Sequence, residues 1–195
     1  MLFLNISLPQ IILEINGETK IIENKKTEET IPKILFEYFE KYNFKNITII
    51  NGPGSFTALR IGSLSINILN FLKNYNLNLF SIDKITLYKY LFEKNFLPGK
   101  GIIYIGQKKK ALLYDFENDF SENIFIDNLE QKNLFTDFGL NSKNINILKI
   151  NLQNQKLNIN FENNNILVSP KEITKPEKTI QPNYLIQPNI SYPSN

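Results

Sequence analysis

Two stretches of this chain set backbone or side-chain groups at spacings that chemistry can use. The first is Ile49-Ile50-Asn51-Gly52-Pro53-Gly54-Ser55-Phe56-Thr57-Ala58-Leu59-Arg60-Ile61-Gly62, an apolar run, a glycine-flanked proline and the start of a helical pattern. Ser55 or Thr57 can cap such a helix, and a glycine-bearing turn at a helix start can offer unpaired N–H groups to an anion. The turn lacks the Gly-Lys-Ser/Thr end of a Walker loop and the dinucleotide-binding spacing, so a plain strand-to-helix turn competes with that reading. The second is Asp115, Glu117 and Asp119, alternating at the end of one run. Carboxylates clustered at strand ends hold metals in nucleases and phosphotransferases, but this spacing is also the ordinary pattern of a solvated face. Lys108-Lys109-Lys110 has the charge to meet nucleic-acid phosphates, but ordinary solvation of a hairpin turn accounts for it better.

The absent residue types exclude more than the present ones propose. The 195 residues include no Cys, no His and no Trp. That removes disulfides, thiolate nucleophiles, thiolate metal sites, every Ser-His or Cys-His pair and every His metal ligand. An enzyme made of what remains would rely on carboxylates, Lys, Tyr or a bound metal-nucleotide. The hydrophobic content of 42% is too high for a disordered chain, and the net charge of +3 is too mild to indicate nucleic acid by itself. Met1-Leu2-Phe3-Leu4-Asn5-Ile6 has no basic leader and soon meets Pro9, which leads us to expect a soluble cytoplasmic protein without a signal peptide. Arg60 is the single Arg in a lysine-rich chain, retained either by chance or because its position needs it.

The elements that must position these groups follow from periodicity. Residues 2–6, 10–15 and 19–23 read as strands, and Asn16-Gly17 between the last two is a strong hairpin signal. Ile31, Ile34, Leu35, Tyr38, Phe39 and Tyr42 predict an amphipathic helix over 27–43, with Pro32 early enough to be tolerated. Strand 46–50, helix 56–73, strand 77–82 and helix 84–96 come next, then a hairpin over 101–106 and 111–116. The order βββαβαβα, then ββ, predicts an α/β mixed sheet led by a meander. We divide the chain at residue 100 into an N-terminal subdomain (1–100) and a reduced C-terminal one (101–195). Residues beyond 120 look strand-like with no clear helix, and the proline-rich tail from Pro170 onward predicts extended chain with local packing only.

Helix 56–73 carries two apolar stripes. One holds Ile61, Leu64, Ile68, Phe71 and Leu72; the other holds Ala58, Gly62, Ile66 and Leu69, with Leu59 beside it. Arg60, Ser63, Asn67 and Asn70 form a polar strip between them. An ordinary surface helix buries one face. A second, small-residue face predicts a close-packed neighbour, either this chain's own helix 27–43 or another molecule.

Gly52-Pro53-Gly54-Ser55-Phe56-Thr57 followed by Leu59-Arg60-Ile61-Gly62 resembles the signature of the TsaB (YeaZ-type) family, with Ala58 where that family usually has a further Gly. Pro182-Asn183-Tyr184-Leu185 is similar to its C-terminal Pro-x-Tyr-Leu, and Ser81–Leu87 stands in the place of its strand-to-helix step. The resemblance covers residues 1 to about 116 and the tail. It implies an actin/Hsp70-like (ASKHA, RNase H-like) fold and a non-catalytic dimerisation subunit of the bacterial tRNA threonylcarbamoyladenosine complex. Such a subunit pairs with a TsaD-like catalytic subunit through its first two helices, and a TsaE-like ATPase joins them. Nucleotide and metal would sit on those partners rather than on this chain, tRNA would be reached through the complex, and the chain could self-dimerise without its partner. Carried onto this sequence, the expected interface is Ile34, Tyr38, Ala58, Arg60, Gly62, Ile66 and Leu69.

Three further departures from the family pattern remove reactive groups. Asn5 stands where the family's first strand has an Asp, Gly106-Gln107-Lys108 replaces an Asp-Ala-Arg, and the first helix has no His. A scaffold subunit tolerates such losses. The competing class is a nucleotide-binding enzyme or phosphotransferase of the same fold, which would need the carboxylates near residue 115 to act together.

Overall fold

The computed structural model describes residues 1–23, 27–126, 133–140 and 145–184. The chain opens as three antiparallel strands, β1 (Leu2–Asn5), β2 (Gln10–Ile15) and β3 (Glu18–Glu23). Asn16 and Gly17 both take positive φ, 50° and 86°, so the β2–β3 hairpin closes as that dipeptide predicts. Helix α1 (Thr27–Lys41), strand β4 (Asn46–Ile50), helix α2 (Phe56–Leu72), strand β5 (Asn78–Ile82) and helix α3 (Lys84–Glu93) follow in the expected order. β4 runs parallel to β1, and β5 parallel to β4, giving a mixed sheet in the order β3-β2-β1-β4-β5. Parallel neighbours need crossovers: α1 carries the chain from the edge strand to β4, and α2 carries it from β4 to β5.

Strand alternation sorts this sheet into two layers. Leu4, Leu13, Ile15, Ile47, Ile49 and Leu79 pack with Ile31 and Leu35 of α1 and with Ala58, Leu59, Ile66 and Leu69 of α2. Phe3, Ile50 and Ile82 point the other way, into a second core with Leu87, Tyr88 and Leu91 of α3. That second core is completed by the rest of the chain. Strands β6 (Lys100–Tyr104), β7 (Lys110–Asp115) and β8 (Phe120–Phe125) form a meander, and β9 (Phe135–Thr136) and β10 (Asn146–Ile147) extend it in the order β10-β9-β6-β7-β8. Strands β11 (Lys149–Gln153), β12 (Lys156–Phe161) and β13 (Asn164–Val168) make a three-stranded antiparallel sheet, followed by one short helix, α4 (Pro170–Ile173). The stretch beyond residue 120 is thus strand-rich, as its composition suggests. No helix among the described residues is long and apolar enough to cross a membrane.

The tail corrects the expectation of local packing. Residues 174–184 hold one isolated bridge, Leu79 to Glu177, yet they are stapled across the first sheet. Asn67 of α2 accepts the Ile180 N–H at 2.8 Å and donates to the Ile180 carbonyl at 2.9 Å. Asn70 donates to the Lys178 carbonyl at 2.8 Å, and the Asn51 amide donates to the Gln181 carbonyl. Ile180 itself is 1% exposed and belongs to the core under α2. The polar strip of α2 therefore acts as a substitute peptide edge: a primary amide has the same donor and acceptor pair as the backbone. Nothing in periodicity says which remote segment such an edge will take. Leu185, Pro188 and Pro193 lie outside the described residues.

Asn67→Ala removes both bonds to Ile180, each worth about 1 kcal/mol net. We expect a loss of about 2 kcal/mol in urea unfolding and faster amide exchange at Ile180; unchanged protection there would contradict the strap assignment.

Candidate interaction site

The Gly-Pro-Gly turn is a meeting point of several backbone segments. A Cβ on Gly54 would stand 2.7 Å from both the Cα and the carbonyl oxygen of Ser7, and one on Gly106 (φ 85°) would stand 2.8 Å from Gly54 C. Gly52, at φ 113°, meets the Asn183 carbonyl of the tail, and its own carbonyl accepts the Lys84 N–H at 2.7 Å. Pro53 is buried between these glycines. Ser55 takes the N-cap position of α2 but makes no capping bond through its side chain, and Thr57 lies one position inside the helix. The glycines of the motif are therefore committed to chain-to-chain contact, and the plain strand-to-helix turn prevails over the anion cradle.

The two stripes of α2 are placed opposite to expectation. Ala58, Ile66 and Leu69 are 0% exposed, and Gly62 is buried. A Cβ on Gly62 would lie 2.8 Å from Ile6 Cδ1 and 2.9 Å from Ile6 Cγ2. The small flank lets the helix settle against this chain's own Ile6, the residue after β1, so these four residues do not form an outer interface in this conformation. Ile34 of α1 is buried with them, while Tyr38 is half-buried beside Tyr42. The large stripe is the one left outside: Leu64, Ile68, Phe71 and Leu72 are 53%, 41%, 61% and 54% exposed. Tyr75 continues the row beyond the helix end, its ring 6.0 Å from that of Phe71. Arg60 is also exposed; its guanidinium lies 5.7 Å from the Phe56 ring, which packs tilted at 4.7 Å against Tyr184 of the tail. The motif's aromatic, its lone Arg and the tail's Tyr thus form one surface feature at the α2 start.

A buried ion pair lies behind the turn. Lys84, at the first position of α3 and 0% exposed, reaches Asp137 at 2.6 Å and donates to the Ser7 and Tyr104 carbonyls at 3.1 and 2.9 Å. Asp137 also receives the Tyr88 hydroxyl at 3.0 Å and the Tyr104 N–H at 2.8 Å. Burial pulls the Lys84 ammonium down from its ordinary pKa, with the Asp137 charge opposing it, and burial pushes the Tyr88 hydroxyl well up. This cluster joins the turn after β1, helix α3, the end of β6 and the residue that follows β9. It was missed in the sequence because Lys84 and Asp137 are ordinary surface residue types 53 positions apart.

The other candidate groups resolve as structural. Asn5 is 1% exposed and its Oδ1 accepts from Ser7 N (3.1 Å) and Ser7 Oγ (2.7 Å), forming an Asx turn. Asp115 organises the next hairpin: its carboxylate takes hydrogen bonds from the Asn118 side chain and backbone and pairs with Lys100, which lowers its pKa to about 2. Asp119 accepts the Tyr114 hydroxyl at 2.7 Å. No group of three metal-ligating side chains occurs among the described residues. Lys108, Lys109 and Lys110 are exposed at the β6–β7 turn.

No protein-family model matches the chain, and no curated protein matches it. Solved structures align with it, two of them from the same organism. One is described as an uncharacterized protein with similarity to peptidase YEAZ from Pseudomonas aeruginosa, at 14% identity, 69% of this chain, 73% of that one and a TM-score of 0.39. The other is YeaZ from Pseudomonas aeruginosa, at 14% identity, the same coverage and a TM-score of 0.38. Likenesses this shallow carry no argument about function.

Lys84→Met leaves Asp137 buried without its counter-charge and should cost about 3–5 kcal/mol. Pairing it with Asp137→Asn, which keeps an acceptor for Tyr88 and Tyr104, should recover much of that loss in a double-mutant cycle. Additive losses would mean that the pair is not coupled.

Proposed function

We propose that this chain is a non-catalytic partner subunit of a tRNA threonylcarbamoyladenosine modification complex, which docks a TsaD-like catalytic subunit on the outer face of α1 and α2. The observation that carries the reading is the apolar row Leu64, Ile68, Phe71 and Leu72, each more than two-fifths exposed on one of the two helices the motif resemblance assigns to pairing. A contiguous apolar patch of this kind on a polar surface marks an interaction site. Two features support it independently: Asn5 is held in a turn where a catalytic relative would carry a carboxylate, and the chain has neither His nor Cys. The meander-led mixed sheet, with α1 and α2 on one face, suits the actin/Hsp70-like reading of the fold. In this account nucleotide, metal and the TsaE-like ATPase belong to the rest of the assembly, tRNA is reached through it in the cytoplasm, and the same row supports a homodimer when the partner is missing.

Co-expression with the TsaD-like protein of the same organism should yield a complex that co-purifies. Ile68→Glu or Phe71→Glu should weaken that complex at least about tenfold, as central apolar anchors do. The same variants should leave thermal unfolding within about 0.5 kcal/mol, since both side chains already face solvent. Normal binding by both variants would remove the outer row from the interface.

The isolated chain should hydrolyse no ATP and transfer no threonylcarbamoyl group. Turnover that persists through successive purification steps would overturn the non-catalytic reading.

A further inference from the structure

A cleft of about 610 Å³ separates the opening meander from the β9–β11 region, on the sheet face opposite α1 and α2. Its size lies within the roughly 300–1,000 Å³ typical of small-molecule sites. Pairing registers build the floor. Asn5 stands opposite Ile12 and Ile12 opposite Ile21, while Glu14 pairs with Thr19, so this face of the three strands brings Ile12 and Ile21 to the cleft together with the carboxylate of Glu14. Phe138, Leu148 and Ile150 provide apolar surface on the other side, and Asn151 lies beside them.

The polar groups of this cleft are unbalanced. Glu14 is only 6% exposed, in a position that alternation turns inward. Its carboxylate receives the Thr19 hydroxyl at 3.3 Å and the Leu152 N–H, both neutral donors, and no cation of the described residues pairs with it. A carboxylate offers about four acceptor positions, so two donors leave it unfilled. The Asn151 Oδ1 is buried with no donor at all. Of the other polar groups in the lining, Asp137 is engaged with Lys84 and Tyr88 and Asn5 with Ser7, while Gln10 stands exposed at the rim. Lys149 stands exposed at the rim. Burial raises the pKa of Glu14, and the Leu152 and Thr19 bonds only partly offset that. The cleft therefore combines apolar walls with acceptors that lack donors.

We propose that this cleft binds a small, largely apolar molecule bearing a primary ammonium group, with Glu14 as its counter-charge and the Asn151 carbonyl as a second acceptor. The proposal is independent of the docking face on α2. A charge-assisted hydrogen bond of this type is worth enough to separate an amine from a neutral isostere by about tenfold or more.

The chain has no Trp, so an indole probe is read against a dark background. Tryptamine, titrated with the full chain and followed by indole fluorescence anisotropy, should bind saturably below millimolar concentration, and the matching alcohol, 3-(2-hydroxyethyl)indole, about tenfold more weakly. Glu14→Gln should remove that preference and leave the alcohol's affinity unchanged, with the fold checked by circular dichroism. Gly139 lines the cleft, and a Cβ built on it meets nothing within 4 Å, so Gly139→Phe should fold normally and block both probes. Equal binding of amine and alcohol, no saturation by several millimolar, or a preference retained in Glu14→Gln would each overturn the proposal.

Discussion

Gly62 has no side chain, and Ile6 fills the space where one would be. This close approach sets the rotation of α2 on its sheet. Once the helix backbone lies against Ile6 at that point, Ala58, Ile66 and Leu69 fall beneath it and Leu64, Ile68, Phe71 and Leu72 are carried outside. Turning α2 to bury the larger stripe would lift it off Ile6 and open a gap beneath it, and well-packed cores resist such voids. The exposed row is thus a consequence of packing elsewhere in the molecule.

The same economy of contact holds the rest of the chain around the Gly-Pro-Gly turn. Ser7, Gly106 and Asn183 all approach it at backbone distance, and the Lys84 side chain links the Ser7 carbonyl to Asp137. A buried ion pair contributes little net stability but resists rearrangement, because separating its members leaves a charge in an apolar site. It fixes α3 and the second meander relative to β1. The cleft beside Glu14 is lined on one side by Asp137 of that pair, and the Glu14–Leu152 contact bridges it.

Much of this architecture is legible in the sequence where a local rule governs it. Asn16-Gly17 closes its hairpin because both residues tolerate positive φ, and the helical stripes of residues 27–43 and 56–73 appear within a few residues of α1 and α2. The order of meander, crossover and parallel strands follows from those elements. What periodicity does not carry is the choice between two apolar faces of one helix. Small and large stripes score alike as hydrophobic, and only the fit of Gly62 to a residue 56 positions earlier decides between them. Long-range polar pairing is equally silent: Asn67 and Asn70 are simply part of the polar strip of the helix until the tail is laid across them. Glu14 and Lys84 read as surface residues because burial of a charge depends on partners the local pattern does not name.

The central claim is that α2 presents its large apolar row, and not its small flank, to another protein. Methyl NMR of the labelled chain titrated with the TsaD-like subunit tests this directly. The Leu64, Ile68 and Leu72 methyl signals should shift or broaden at stoichiometric addition, while those of Ala58, Ile66 and Leu69 stay near their free positions. Perturbation confined to the inner set, or none in either, would contradict the account.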